Sequence, residues 1–155
     1  MNTPLPNTSP LLVTRQGAIV TLQFNRPEAM NALNVPTAQA LLTAVQDIAQ
    51  NAGVRAVLLK GAGRAFVAGG DLAMLQADPV QGAKDLLAPL NQSLLLLQNL
   101  NAPVIAQVHG AAAGAGLSLM LMCDFVLAAE GSKFNLASST WVPAATSAHP
   151  GPCRA

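Results

Sequence analysis

The chain has 155 residues, of which 52% are hydrophobic and only 10% are charged, and its formal net charge at neutral pH is +1. This length suits one domain with a hydrophobic core. The near-neutral charge, the 3% of aromatic residues and the lack of tyrosine exclude the basic surfaces and stacking platforms of nucleic-acid-binding proteins. So few charges predict apolar surface that another subunit or further chain would cover.

The N-terminus and the two cysteines give no sign of export, disulfides or metal binding. Residues 1–10 are polar and proline-rich and lack the basic and apolar regions of a signal peptide, so we expect them to be disordered and the protein to be cytoplasmic. Cys123 lies in an apolar run and is expected to be a small core residue. With Cys153 it forms neither a disulfide framework nor a metal-binding pattern.

One stretch, residues 104–123, carries no formal charge and has about the length of a membrane span. Within it Gly110 and Gly114 form a pair of small residues that could serve helix dimerisation. Gln107 and His109 inside the stretch, and the lack of basic or aromatic flanks, speak against a span. We favour a buried strand followed by a buried helix, and no membrane association.

Apolar periodicity, caps and turn residues predict strands alternating with helices, which indicates an α/β domain. The predicted strands are residues 11–15 and 18–24 as a hairpin, 54–59, 104–108, 125–129, and one that includes 134–136. The predicted helices are one capped by Asn34 with Pro36 in its first turn, a short one from about Asp71, one over about 82–100 with a kink or late start at Pro89, and one that follows a glycine–alanine turn over 110–116 and ends near Met122. Residues 138–155 have three prolines and no periodicity, and we expect them to be disordered.

Two glycine-containing stretches follow strands and open helices. Residues 65–72 read AFVAGGDL, and residues 103–116 read PVIAQVHGAAAGAG. A helix N-terminus presents unpaired N–H groups and the positive end of the helix dipole. Two such donors converging on one point would stabilise a developing oxyanion by about 3–4 kcal/mol each. Taken singly, either stretch also fits a tight turn, and neither has the spacing of a dinucleotide site or P-loop.

Together with an earlier stretch, these motifs resemble the enoyl-CoA hydratase/isomerase (crotonase) family. Asn25-Arg26-Pro27 with Asn31-Ala32-Leu33 is similar to the family's early signature. Residues 66–72 resemble its first oxyanion loop, and residues 103–116 followed by Cys123-Asp124 resemble its second. The resemblance implies an α/β fold of the ClpP/crotonase type, a spiral of ββα units that is incomplete at the C-terminus. It also implies that residues 11–137 form an acyl-CoA-binding domain.

The resemblance further implies a set of site residues. The backbone N–H groups of Gly70 and Ala115 would form an oxyanion hole, with Ala115 in the middle of a glycine-rich triplet. The residues implied to line the channel for coenzyme A, or to lie near its nucleotide end, are Ala68, Asp71, Leu72, Ala73, Glu28 and Met30. Asp71 is also a candidate N-cap of the following helix, and we favour that role. Coenzyme A is implied as part of a thioester substrate, and no separate cofactor or metal is implied.

Two positions depart from the family's hydratases, which use two glutamates to add water. Ser118 and Ser138 occupy these positions, neither is a base at neutral pH, and no Asp or Glu follows Glu130. We therefore expect isomerase-type enolate chemistry, with a catalytically impaired acyl-CoA-binding or interaction protein as the alternative. His109 is expected to be a hydrogen-bonded structural residue. Arg26 is interpreted either as a solvated turn residue or as a phosphate contact.

The change of composition at Ser138 suggests a truncated or frame-shifted product of a longer family member. The resemblance implies that full-length members are homo-oligomers, trimers or hexamers, whose contacts involve helices absent from this chain. Uncovered apolar surface would then favour self-association.

Overall fold

A computed structural model describes residues 9–71, 73 and 78–136. Leu72, Ser138 and the whole of the segment 138–155, for which the sequence predicts disorder, lie outside the described residues. So does most of the short helix expected from about Asp71, of which Ala73 is described as helical.

Strands and helices alternate along the described chain as an α/β domain requires. The strands are β1 (Leu11–Gln16), β2 (Ile19–Phe24), β3 (Ala56–Gly61), β4 (Val104–Val108), β5 (Ala111–Ala113), β6 (Phe125–Ala128) and β7 (Lys133–Asn135). The α-helices are α1 (Val35–Ala49), α2 (Pro79–Gln98) and α3 (Ala115–Leu121), and a short 3-10 helix covers Pro27–Ala29. The order strand–strand–helix recurs in β1–β2–α1 and in β4–β5–α3.

The strands form two sheets of different size. The larger has the order β1-β2-β3-β4-β6, in which β1 is antiparallel to β2 and the other neighbours are parallel. The smaller pairs β5 with β7 in parallel, with Ala112 opposite Phe134. Ala112 also bridges to Val67, and Leu33 bridges to Gly70, so a second layer of extended chain runs beside the larger sheet.

The β1–β2 hairpin forms where alternation predicts it. Leu11 lies opposite Phe24 and Gln16 opposite Ile19. Gly17 turns the chain with a φ of 59°, a left-handed conformation that glycine adopts without strain. In β2 every second side chain is buried, and this period of two is the pattern from which the strand is predicted.

Helix α1 confirms the predicted cap. The side-chain Oδ1 of Asn34 accepts a hydrogen bond from the backbone N–H of Thr37 at 3.0 Å. Pro36 lies in the first turn, where a missing N–H costs no intrahelical bond. The helix buries Leu41 and Val45 completely and packs against α2, β1 and β2.

Helix α2 corrects two expectations. It begins at Pro79 rather than near Gly82, because Asp78 caps it through a 3.0 Å bond from the Gln81 N–H to Oδ1. A late start at Pro89 is also wrong, since this proline lies inside the helix. Strand β3 similarly begins at Ala56, two residues after the predicted start.

Residues 104–123 form β4, β5 and α3 rather than one continuous helix. In the described ranges, no helix combines the length and apolar character needed to cross a membrane. The three-residue strand β5 takes the place of part of the turn predicted over residues 110–116. That prediction is wrong because Ala112 pairs on both sides, with Val67 and with Phe134.

One cluster of buried side chains joins the larger sheet, α1, α2 and the stretch after β3. Within it Phe24 and Phe66 are fully buried and meet edge to face, with ring centroids 6.1 Å apart and planes at 82°. Cys123 is partly buried at the margin of this core. Burial, with a smaller contribution from the neighbouring charge of Asp124, raises the pKa of its thiol to about 12.

Candidate functional site

The first glycine-containing stretch is extended and lies between two neighbours. On one edge Val67 pairs with Ala112 of β5. On the other edge the N–H of Leu33 donates to the carbonyl of Gly69 at 2.7 Å, and the N–H of Asp71 donates to the carbonyl of Leu33 at 2.8 Å. Residues on both sides of Gly70 are therefore fixed by backbone hydrogen bonds.

These bonds determine where the N–H of Gly70 points. A trans peptide holds the carbonyl of one residue antiparallel to the N–H of the next. Because the Gly69 carbonyl faces Leu33, the Gly70 N–H faces away from Leu33. The neighbouring chain on that side is β5, since Val67 of the same stretch pairs with Ala112 on the edge opposite Leu33. Gly69 itself has a φ of 118°, which side chains rarely adopt, so glycine permits this peptide orientation.

The second stretch orients the N–H of Ala115 by the same geometry. The carbonyl of Gly114 accepts the first hydrogen bond of α3, from the N–H of Ser118 at 3.1 Å. The Ala115 N–H in that peptide plane therefore points out of the helix N-terminus. Gly114 has φ 49° and ψ −119°, close to the first central residue of a type II′ turn, and its own N–H donates to the Asn135 carbonyl at 3.0 Å.

Close packing brings these two stretches together. A Cβ added at Gly116, in the first turn of α3, would overlap the carbonyl of Val67. Among the described residues, no hydrogen bond engages the N–H of Gly70 or that of Ala115. Two partly buried, unengaged donors thus lie on adjoining segments, an arrangement that can bind an oxyanion.

The residue after Gly70 forms an ion pair. Asp71 Oδ2 lies 3.0 Å from Nη2 of Arg26, and both side chains are 21% exposed. The Nη1 of Arg26 donates to the carbonyl of Ala32 at 2.6 Å. Asp71 Oδ1 accepts from the N–H of Ala73 at 3.2 Å, as a capping residue does. The guanidinium is engaged within the protein, so the interpretation of Arg26 as a solvated turn residue is wrong.

Asn31 is buried and joins three parts of the chain. Its Oδ1 accepts from the Arg26 N–H at 2.8 Å, and its Nδ2 donates to the carbonyls of Ala62 and Ala65, each at 2.8 Å. Asn31 and Met30 have φ values of 58° and 50°, so two successive non-glycine residues are left-handed. The local sequence patterns assign no contact to Asn31, and its place in the Asn-Ala-Leu triplet is the signal that could have found it.

The other candidate binding residues lie around this loop. The N–H of Ala68 donates to the carbonyl of Met30 at 3.1 Å, which brings two of them together. Met30 is 39% exposed. Glu28, on the 3-10 helix, and Ala73 are also exposed. Leu72 lies outside the described residues.

Two further side chains have defined positions. His109 Nε2 donates to the carbonyl of Gly63 at 2.8 Å, which confirms its structural role at the end of β4. Ser118 is exposed on α3, with its hydroxyl 3.4 Å from the Gly114 carbonyl. Over the part of the chain that the structure describes, no three His, Cys, Asp or Glu residues group as metal ligands would.

The chain has clear similarity to known proteins. A family model described as enoyl-CoA hydratase/isomerase matches residues 14–142. The 2,3-dehydroadipyl-CoA hydratase of Escherichia coli K12 is 38% identical over 136 residues, which cover 85% of this chain and 51% of that protein. The 1,2-epoxyphenylacetyl-CoA isomerase of the same organism is 39% identical over 125 residues, which cover 78% of this chain and 48% of that protein.

The solved structures agree with the sequence matches. An enoyl-CoA hydratase from Mycobacterium smegmatis has a TM-score of 0.80 and 40% identity, covering 84% of this chain and 52% of the solved one. This likeness confirms the expected crotonase-type fold. The chain spans about half the length of the relatives it matches.

Proposed function

Because the chain belongs to the enoyl-CoA hydratase/isomerase family, we propose that it binds an acyl-CoA thioester and stabilises the thioester enolate through the backbone N–H groups of Gly70 and Ala115. The observation that carries this proposal is the orientation of two peptide planes. The Gly70 N–H points away from Leu33, and the Ala115 N–H points out of α3. Both donors belong to the backbone and do not depend on a catalytic side chain.

The chemistry requires these donors where negative charge develops. Removal of a proton next to a thioester carbonyl places charge on the carbonyl oxygen, and each positioned donor lowers that cost by about 3–4 kcal/mol. In this proposal Ala68, Asp71, Leu72 and Ala73 line the channel for the thioester. Glu28 and Met30 lie towards the nucleotide end of coenzyme A.

Isomerisation suits the residues better than hydration. Hydration adds a hydroxyl group and a proton, and positioned acid and base groups accelerate it. Ser118 is an exposed hydroxyl, and no Asp or Glu follows Glu130 in the chain. Isomerisation returns one proton to a different carbon of the same enolate and needs a single titratable group. Ser118, a hydroxyl instead of a titratable group, equally favours the alternative, a catalytically impaired acyl-CoA-binding or interaction protein.

The proposal extends to assembly and location. We propose that the chain self-associates, because the family resemblance implies trimers or hexamers for full-length members. We also propose a cytoplasmic location.

Binding and turnover distinguish the two candidates. We expect calorimetric titration with a short saturated acyl-CoA to show weak binding, and crotonyl-CoA to be hydrated little or not at all. Conversion of a 3-enoyl-CoA to the 2-enoyl isomer would support the isomerase, whereas binding without turnover would support the alternative. Robust hydration of crotonyl-CoA would contradict both.

A substitution at one donor tests the site itself. Gly70→Pro removes the N–H and strains the loop, so it should abolish acyl-CoA binding. Gly70→Ala keeps the N–H and should weaken binding less. Equal binding by the wild type and Gly70→Pro, with both chains folded by circular dichroism, would exclude the Gly70 donor.

A further inference from the structure

We propose that Arg26 is a positioning residue for the enolate site, which fixes the Gly70 peptide through its ion pair with Asp71 and offsets the carboxylate charge beside that peptide. This inference rests on the proposed function of the Gly70 N–H. It adds a side chain to a site whose donors are otherwise backbone groups.

The first support is where the guanidinium binds. Leu33 and Gly70 pair as a single parallel bridge, which by itself is a short and weak connection. Arg26 contacts both chains next to that bridge, through the carbonyl of Ala32 at 2.6 Å and the carboxylate of Asp71 at 3.0 Å. A guanidinium is planar with donors in a rigid fork, so these two bonds set the spacing of the two chains.

The second support is charge. Asp71 directly follows Gly70, and a carboxylate close to a developing enolate oxygen disfavours the enolate because the two charges have the same sign. The guanidinium of Arg26 pairs with that carboxylate in a partly buried position, where water screens the two charges incompletely. The described ranges contain no second ion pair between side chains.

The third support is the anchoring of Arg26 itself. Its backbone N–H donates to Oδ1 of Asn31, a residue only 1% exposed whose amide also binds the carbonyls of Ala62 and Ala65. The start of the arginine side chain is therefore held by the core. Little conformational freedom remains to be lost when the guanidinium makes its contacts.

A 3-oxoacyl-CoA, acetoacetyl-CoA, provides the probe. Its enolate forms without an enzymatic acid or base and absorbs ultraviolet light differently from the keto form, so the bound enolate-to-keto ratio reports the oxyanion donors directly. We expect the wild type to raise this ratio above that of the free compound. Arg26→Gln should lower the bound ratio roughly tenfold at fixed pH, because the Asp71 charge is then uncompensated.

Two variants serve as comparisons. Arg26→Lys keeps the charge but loses the fork, so its ratio should lie between those of the wild type and Arg26→Gln. Arg55→Gln removes an exposed arginine near the start of β3 and should leave the ratio as in the wild type.

A double substitution separates charge from general damage. Adding Asp71→Asn to Arg26→Gln removes the uncompensated carboxylate and should recover part of the lost ratio, which a merely structural role would not produce. If Arg26→Gln fails to fold by circular dichroism, Arg26→Lys and the double variant carry the test.

The outcomes separate the inference from its premise. A wild type that does not raise the enolate ratio overturns the proposed function and this inference with it. A wild type that raises the ratio, with Arg26→Gln and Arg26→Lys equal to it, overturns the role of Arg26 alone.

Discussion

Strands β2, β3 and β4 and strand β6 are similarly apolar, yet they differ in burial. In β2, β3 and β4 alternate side chains are buried, whereas all four side chains of Phe125–Ala128 are exposed. Strand β6 nevertheless pairs with β4 along its whole length. Backbone pairing and side-chain burial are therefore separate contributions to the stability of a strand. Strand β6 is paired with β4, but its side chains are not buried.

This difference affects the candidate site, because the peptides that carry the N–H groups of Gly70 and Ala115 are held by different segments of the chain. Gly70 is held by Leu33 and by the Arg26–Asp71 ion pair, next to the buried core. The turn that orients Ala115 is held partly by the carbonyl of Asn135, in the exposed strand β7. We infer that the Gly70 donor is the more firmly fixed of the two.

The largest expected effect compares a phenylalanine from each region. Phe66 is 0% exposed and packs on Phe24, whereas Phe125 of β6 is 62% exposed. Phe66→Ala should lower the free energy of unfolding by about 3–5 kcal/mol, as large-to-small core substitutions do. Phe125→Ala should change it by less than about 0.5 kcal/mol. Urea unfolding measures both free energies, and similar losses for the two variants would show that the difference in burial between Phe66 and Phe125 does not affect stability.

Cys123 lies at the margin of the buried core, just before β6. Burial, then the charge of Asp124, raises the pKa of its thiol from 9.0 to about 12. At pH 8 the folded chain should therefore react with a thiol reagent roughly 10²–10³-fold more slowly than when unfolded in urea. Measurement on a Cys153→Ser background isolates this thiol. Equal rates in the folded and unfolded chains would show that Cys123 is not protected.

The same shift has a consequence for stability. The pKa of the Cys123 thiol is higher in the folded chain than in the unfolded chain. The contribution of this thiol to the free energy of unfolding is therefore fully present below about pH 9. That contribution is lost as the pH rises from about 9 towards 12, because the thiol ionises at a lower pH in the unfolded chain than in the folded chain. A Cys123→Ala variant should lack this part of the alkaline loss of stability.

A smaller effect on the free energy of unfolding is expected at the N-terminal cap of α1, a helix that packs on the buried core. Asn34→Ala removes the acceptor for the Thr37 N–H and should cost about 1 kcal/mol. Asn34→Asp keeps an acceptor and should cost much less. An Asn34→Ala urea midpoint equal to that of the wild type would show that the cap contributes nothing.

The β1–β2 hairpin and α1, which pack on the buried core, were easier to predict from sequence than β5 and β6, because their signals are local. Alternation predicts the hairpin, and Asn34 with Pro36 predicts the start of α1. Strand β5 escaped prediction because three alanines have little strand preference, and it forms only through pairing with distant chain. The exposure of β6 also escaped prediction, because a short apolar run is typical of a buried strand.

The site was predictable only in part, for the same reason. Glycine-containing stretches that follow strands and open helices indicate backbone donors, and both stretches adjoin in the fold. The contacts of Arg26 and Asn31 were not predictable from local patterns. The ion pair joins residues 45 positions apart, and the two Asn31 amide bonds span 31 and 34 positions. Such pairs depend on the packing of the whole domain.

The smallest expected change in stability concerns the two edges of the larger sheet. Edge β1 carries Arg15, a charged residue of the kind that discourages edge-to-edge association, whereas Phe125–Ala128 contains no charge. Leu127→Lys should change the free energy of unfolding by less than about 0.5 kcal/mol, because Leu127 is 62% exposed. It should nevertheless reduce self-association, measured by light scattering over a range of concentrations. The matched substitution Val13→Lys in β1, at a residue 53% exposed, should reduce it less. A wild type that stays monomeric at all concentrations, or equal effects at both edges, would show that the uncovered strand does not drive association.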